Sequence, residues 1–204
     1  MVSKPPLFSC RADGGIGAEF ASFKAKSRYC GTMTGSEDIT IRLALPEDKI
    51  HIAVLEAVLQ SRSETDFAEL LFQSVAAGER SVVLCFIGAV PVGYVILNWT
   101  PAYQLFSRLK IPELQDLNVL PDHRRKGLGK KLVAACENLA RERGRVEIGL
   151  AVGLTQSYGA AQRLYARMGY IPDGQGITWD RQPVRPFAVH PVDDDLCLML
   201  VKSL

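Results

Sequence analysis

A chain of 204 residues suits one domain with a sizeable core, and its composition, 48% hydrophobic and 23% charged, is that of an ordinary globular protein. The net charge of +2 argues against a broad nucleic-acid-binding surface, and no apolar run approaches the ~20 residues that a membrane-spanning helix needs. The positive excess sits at the front: residues 1–36 carry five Lys/Arg against two acids, leaving 19 basic and 20 acidic residues for the rest.

Five cysteines (Cys10, Cys30, Cys85, Cys136 and Cys197) are odd in number and form no CxxC pair, so no metal site is expected and a reducing, cytoplasmic setting is. Cys85, Cys136 and Cys197 stand in apolar context and read as small core residues. Residues 1–36 lack sustained periodicity and the continuous apolar segment of a secretory signal. They are expected to be a disordered extension, with Met33 as an alternative start, and the domain is expected to cover 37–204.

Ile39–Leu43 alternates and predicts a strand. Pro46-Glu47-Asp48 has the proline and acids of a helix first turn, and that helix runs through Ile50, Val54, Leu55 and Val58. A second helix is predicted over Phe67–Ala77, with Leu70, Leu71 and Val75 on its buried side and Gly78 as its stop. Ser81–Ile87 and Val92–Trp99 are β-rich runs that read as a hairpin around Gly88-Ala89-Val90-Pro91. A loop over Pro101–Lys110 leads to a strand over Ile111–Val119. A helix follows from Gly127 to Gly144, then a strand over Val146–Val152 and a helix around Ser157–Met168. Tyr170-Ile171-Pro172 resumes extended chain, and a polar, Pro/Gly-rich excursion runs from Asp173 to Asp194. In the last strand Leu196, Leu198 and Leu200 face one way and Cys197, Met199 and Val201 the other, so it is expected to be covered on both sides. This order predicts an α+β (mixed α/β) domain with helices on both faces of its sheet.

Between Val119 and Leu132 the chain reads as a strand end, a basic turn and a helix start: Pro121 ends the strand, and Leu128, Leu132, Cys136 and Leu139 fall on one helical face. The turn holds Arg124, Arg125, Lys126, Gly127 and Gly129. A helix N-terminus with free amides and surrounding cations is a seat for phosphate or pyrophosphate. The spacing excludes a GxxxxGK[ST] phosphate loop and, with Leu132 where a third glycine is due, a dinucleotide-binding fingerprint. The bland alternative is a solvated polar loop.

The Arg124-x-x-Gly127-x-Gly129 turn, together with Ala161, Leu164, Tyr165, Gly169 and Tyr170 downstream, resembles the two motifs of the GNAT superfamily of acyl-CoA-dependent N-acetyltransferases. The resemblance covers roughly residues 39–204 and implies a central mixed, mostly antiparallel sheet. It implies acetyl-CoA as cosubstrate, with no metal. The backbone of Leu117, Asn118 and Val119 would pair with the pantetheine arm, and Arg124, Arg125, Lys126, Gly127, Leu128, Gly129 and Lys130 would surround the pyrophosphate. Tyr165 would be the general acid for the departing thiolate; its residue pattern alone equally fits a core tyrosine.

An ammonium must lose a proton before it attacks a thioester, so a base is needed. Glu113 is the first candidate, since histone-acetylating members of the family have a glutamate at that offset, and Asp116 the second, acting through a water. Either one could instead be a solvent-facing carboxylate. The sequence departs from the family at Tyr158, where many members have asparagine. The excursion after Asp173 is long enough to reach over an acceptor; Trp99 and Trp179 are candidates for an acceptor wall, and Asp193-Asp194-Asp195 for attracting a cationic amine.

The leading expectation is direct acetyl transfer to a primary amine of a small molecule or peptide; the family also allows a homodimer. A non-catalytic acyl-CoA-binding regulatory module is the alternative. Nucleic-acid binding through Arg124, Arg125, Lys126, Lys130 and Lys131 would need a wider basic surface than a neutral domain offers, and no membrane partner is expected.

Overall fold

The computed structural model describes residues 38–59 and 66–204, so the expectations for residues 1–36, including Cys10, Cys30 and Met33, lie outside the described residues. The strands are β1 (Ile39–Leu43), β2 (Arg80–Ile87), β3 (Val90–Asn98), β4 (Glu113–Val119), β5 (Glu147–Gly153), β6 (Ile171–Trp179), β7 (Gln182–Pro183) and β8 (Leu196–Ser203). The helices are α1 (Lys49–Leu59), α2 (Phe67–Ala76), α3 (Gln104–Leu109), α4 (Leu128–Glu142) and α5 (Gly159–Arg167). The strands form one sheet in the order β1-β2-β3-β4-β5-β8-β6-β7, antiparallel everywhere except between β4 and β5.

Both faces of the sheet are covered, which explains the near-continuous apolar runs in β2 and β3. On one face Leu128, Leu132, Val133 and Cys136 of α4, with Tyr165 of α5, pack against Val83, Val95, Leu114 and Leu150. On the other, Ile52 and Leu55 of α1 and Leu71 of α2 pack against Leu84, Tyr94 and Ile96. The last strand is covered on both sides as expected: Leu200 joins the α4 cluster and Met199 a third one built on Phe106 and Tyr103. Cys85, Cys136 and Cys197 are buried free thiols.

Four local expectations need correction. Leu70 is not on the buried side of α2 but 56% exposed; Leu71 and Phe67 take that place. The segment 101–110 is not simply a loop, because α3 forms within it to seat the fully buried Phe106. That helix has too few residues to show a 3.6 period. Much of the excursion after Asp173 is strand: β6 continues through Trp179, its pairing with β8 jumping from Pro172↔Leu200 to Ile177↔Leu198 across a bulge. And the strand predicted from Ile111 begins at Glu113 and is not a regular ribbon.

That irregularity positions the site. The β3–β4 register jumps between Ile96↔Gln115 and Tyr94↔Asn118, and Asp116 takes a left-handed φ of 55°. On its other side β4 pairs with β5 only at Glu113↔Gly149 and Leu114↔Leu150. Beyond Leu114 the two parallel strands separate, β5 staying with β8 along its length. The sheet therefore opens like a V.

Candidate active site

A cleft of about 900 Å³ fills the V. One wall is β4 from Glu113 to Val119; the other is Ala151–Gly153 of β5 with Tyr158, Ala161, Leu164 and Tyr165. One end is closed by His123, Arg124, Arg125, Gly127, Leu128, Gly129 and Lys130.

This basic end is shaped by backbone. Arg125 and Gly127 both take left-handed φ values, 60° and 81°, turning the chain so that its amides converge. Gly127 is the N-cap of α4 and caps it with no side chain, so the first-turn amides stay available. A Cβ at Gly127 would meet nothing within 4 Å. The glycine is needed for its φ, and the space over it is open. Arg124 Nε donates to Val119 O at 2.9 Å, which ties the turn to the end of β4. Lys126 is exposed and lies outside the lining.

The opposite end is shaped by side chains. Glu113 is completely buried, and its Oε1 accepts from Arg181 Nη2 at 3.2 Å. Its Oε2 has no partner among the described residues. Burial pushes the Glu113 carboxyl above the usual range, opposed by Arg181, by a hydrogen bond from Gln115 and by the charge of Arg80. Asp116 is buried at the bulge and also lines the cleft. Asp194 accepts from Tyr158 Oη at 3.1 Å, and burial raises its carboxyl as well.

Tyr165 belongs to the α4-side core and also lines the cleft. Its ring meets Tyr170 edge-on at 5.7 Å between centroids. Burial first, and the neighbouring Cys136 second, push its hydroxyl well above the usual tyrosine range. It is therefore a protonated donor at neutral pH.

The fold and this geometry can be set beside known proteins. The profile of the acetyltransferase (GNAT) family matches residues 49–170. The chain belongs to the GNAT family. A protein of Archaeoglobus fulgidus described as an uncharacterized N-acetyltransferase is 37% identical over 87 residues, 42% of this chain and 56% of that protein. The chain thus spans little more than half the length of this curated relative. Among solved structures, a GNAT-family protein of Desulfovibrio desulfuricans is 18% identical, with a TM-score of 0.63 over 81% of this chain and 99% of its own. The Salmonella typhimurium protein YncA, solved with its cofactor acetyl-CoA, is 22% identical, with a TM-score of 0.60 over 81% of this chain and 94% of its own. PaiA N-acetyltransferase from Thermoplasma acidophilum, in complex with coenzyme A, is 15% identical, with a TM-score of 0.53 over 82% and 99%. At these identities the likeness is one of fold, and it agrees with the mixed, mostly antiparallel sheet.

As a GNAT protein the chain has its own wall at Tyr158. A Cβ on Gly153 would stand 2.5 Å from that ring, so glycine lets the tyrosine lie flat on β5. From there Tyr158 reaches Asp194 and closes the gap between α5 and the start of β8. Neither tryptophan lines the cleft. Trp99 donates to Ser81 Oγ at 2.9 Å beneath Arg143, and Trp179 donates to Asp193 and stacks on His190. Both are packing residues. The residue that sequence reasoning missed is Arg181, one of two arginines in a polar excursion with nothing local to single it out.

Among the described residues no group of three His, Cys, Asp or Glu side chains comes together as a metal site would require, and no helix is long and apolar enough to cross a membrane.

Proposed function

We propose that the chain is an N-acetyltransferase that moves an acetyl group from acetyl-CoA directly to a primary amine. The observation that carries this reading is the edge of β4 toward β5: past Leu114 it leaves β5 and leads, through the bulge at Asp116, to the turn at Gly127 and the open start of α4. An extended arm ending in a pyrophosphate has the shape to occupy that edge and that turn. The backbone of Leu117, Asn118 and Val119, which pairs with β3 on one edge but not with β5 on the other, would bond the pantetheine amides along that second edge. Arg124, Arg125, Gly127, Leu128, Gly129 and Lys130 would hold the pyrophosphate through amides, charge and the α4 dipole. The open space over Gly127 fits such a group. Lys126, exposed beside the turn, would act only as a more distant charge.

Acetyl-CoA supplies an acetyl group activated as a thioester. The protein's part is to align the amine, remove its proton and return one to the sulfur. Glu113 is the better base: one of its oxygens is unpartnered among the described residues, and burial raises its affinity for a proton. The proton passes to it directly or through one water. Asp116, at the bulge, is the second candidate. Tyr165 keeps its proton up to strongly alkaline pH and faces the cleft, which suits a general acid. The acceptor is a small-molecule or peptide amine.

The test is release of free thiol from acetyl-CoA in the presence of a panel of amines: amino acids, polyamines, aminoglycosides and peptides with free N-termini or lysines. Thiol release dependent on an amine supports transfer. Tight acetyl-CoA binding without release from any acceptor would instead support the non-catalytic acyl-CoA-binding module.

A further inference from the structure

Arg181 reaches the cleft by an unusual route. The hairpin between β6 and β7 has a two-residue turn, Asp180-Arg181, closed by the Trp179↔Gln182 pair. Both turn residues are left-handed, with φ of 45° and 61°. Such turns favour Asn-Gly, because a side chain at the second position crowds its own backbone. A long arginine there works against the turn. Backbone strain of this kind persists where something else holds it. Here that is the Glu113 carboxylate, 1% exposed, which draws in a guanidinium itself only 15% exposed. Arg181 Nε is sealed without a partner among the described residues, so the pair is joined through Nη2 and Oε1, with Glu113 Oε2 left over.

We propose that Arg181 is a positioning residue for the transfer reaction, orienting the Glu113 carboxylate and keeping it charged so that Oε2 takes the acceptor's proton. This rests on Glu113 being the base. The step balances simply: the ammonium gives a proton to the carboxylate, yielding a free amine and a neutral carboxyl.

The surroundings of Glu113 leave Arg181 as its main counter-charge. Gln115 on β4 favours its charged form, and Arg80, at the start of β2, does so by charge alone. On β8 it faces Cys197, whose thiol burial pushes up to about 12 and which is therefore neutral. The carboxylates Asp194 and Asp195, just before β8, add to the rise of that thiol. Without Arg181 a fully buried carboxylate would keep only one cation.

The test is a ¹³C NMR titration of the Glu113 carboxyl in full-length protein labelled at glutamate, assigned by the signal lost in Glu113→Gln. Arg181→Gly removes the guanidinium and relieves the left-handed turn, so it is expected to fold. Arg181→Lys restores a charge without the fork. Glu113 should titrate about one pH unit or more higher in Arg181→Gly than in wild type, with Arg181→Lys between them. In the thiol-release assay, the acid limb should move by the same amount, so that activity lost at neutral pH returns as pH rises. Coincident titrations in all three proteins would overturn the role of Arg181. Wild-type thiol release by Glu113→Gln would instead remove Glu113 as base, a separate failure that the titration does not share.

Discussion

At one end of the cleft the working surface is backbone, made by a turn of left-handed Arg125 and Gly127 and the bare start of α4. At the other it is side chain, made by Glu113, Arg181, Asp116 and Asp194 from three separate stretches of chain. The first end offers partial charges fixed by helix geometry, which bind an anion with no proton to exchange. The second offers carboxyls whose charge depends on burial and neighbours, which is what proton transfer requires. The division predicts different sensitivities: the backbone end should fail to shape and salt, and the side-chain end to pH and to loss of single atoms.

The largest effect should come from Gly127→Asp. It puts a side chain into a left-handed position and a negative charge at the proposed pyrophosphate seat, so acetyl-CoA binding measured by calorimetry should be abolished. Unchanged affinity would sink the assignment of this end. Gly127→Ala separates the two causes, since its Cβ meets nothing and only the conformational cost of about 1–2 kcal/mol remains. At the other end, Tyr165→Phe should lower the rate of thiol release by about 100-fold or more while leaving acetyl-CoA affinity near wild type. Equal turnover would return Tyr165 to a purely core role.

Salt should sharpen the contrast. Raising ionic strength from about 0.05 to 0.5 M should weaken acetyl-CoA binding several-fold, through screening of the exposed Arg125, Lys126 and Lys130. The buried Glu113 titration should stay where it is.

The smallest effect concerns stability. Because burial raises the carboxyl of folded Glu113, its contribution is fully present below the unfolded value of about 4.3 and is lost as pH rises through the folded value. Glu113→Gln should therefore gain stability over wild type as pH increases through that window in urea unfolding, and converge with it in acid. Asp48 has the opposite sign: Arg42 holds its carboxyl well below the usual range, so its contribution is present above about 3.9 and is lost on acidification. Asp48→Asn should close that acid-side gap.

The same division explains what was legible in the sequence. The anion-binding end lies within ten consecutive residues, Pro121 to Lys130, and its signals are local: a proline, two glycines, a run of cations and a change of period. The side-chain end joins Glu113 to Arg181 across 68 positions and Tyr158 to Asp194 across 36. Nothing near Arg181 in the sequence marks it, since its partner is set by how β6 and β8 lie in the sheet. Glu113 and Asp116 were singled out by their offset from the turn, but their burial follows from β4 being an interior strand. Trp99 and Trp179 stood out by size alone, which does not say whether a ring lines a cleft or packs beside it, and neither lines this one. Strands β1 to β5 and β8 and the longer helices followed from periodicity; most of β6, β7, α3 and the β4 bulge did not, since each is too short or too irregular to show a period.

The bulge at Asp116 has a wider consequence. A strand is a two-sided ribbon, and one surplus residue turns it over. Leu114 and Leu117 are three apart, an odd step that should set them on opposite sides, yet both press on the α4 cluster. Downstream of the surplus residue, Asn118 points the other way and donates to Tyr94 Oη at 3.0 Å. Removing a single residue there would put the ribbon in one phase throughout. Leu114 and Leu117 would then stand two apart and keep their shared face, whereas flattening the bulge with every residue kept would swing Asn118 toward the core and Leu117 away from it. The bulge in this one strand is thus what lets its first half belong to the carboxylates and its second half lead to the turn, with Leu114 and Leu117 held on one face.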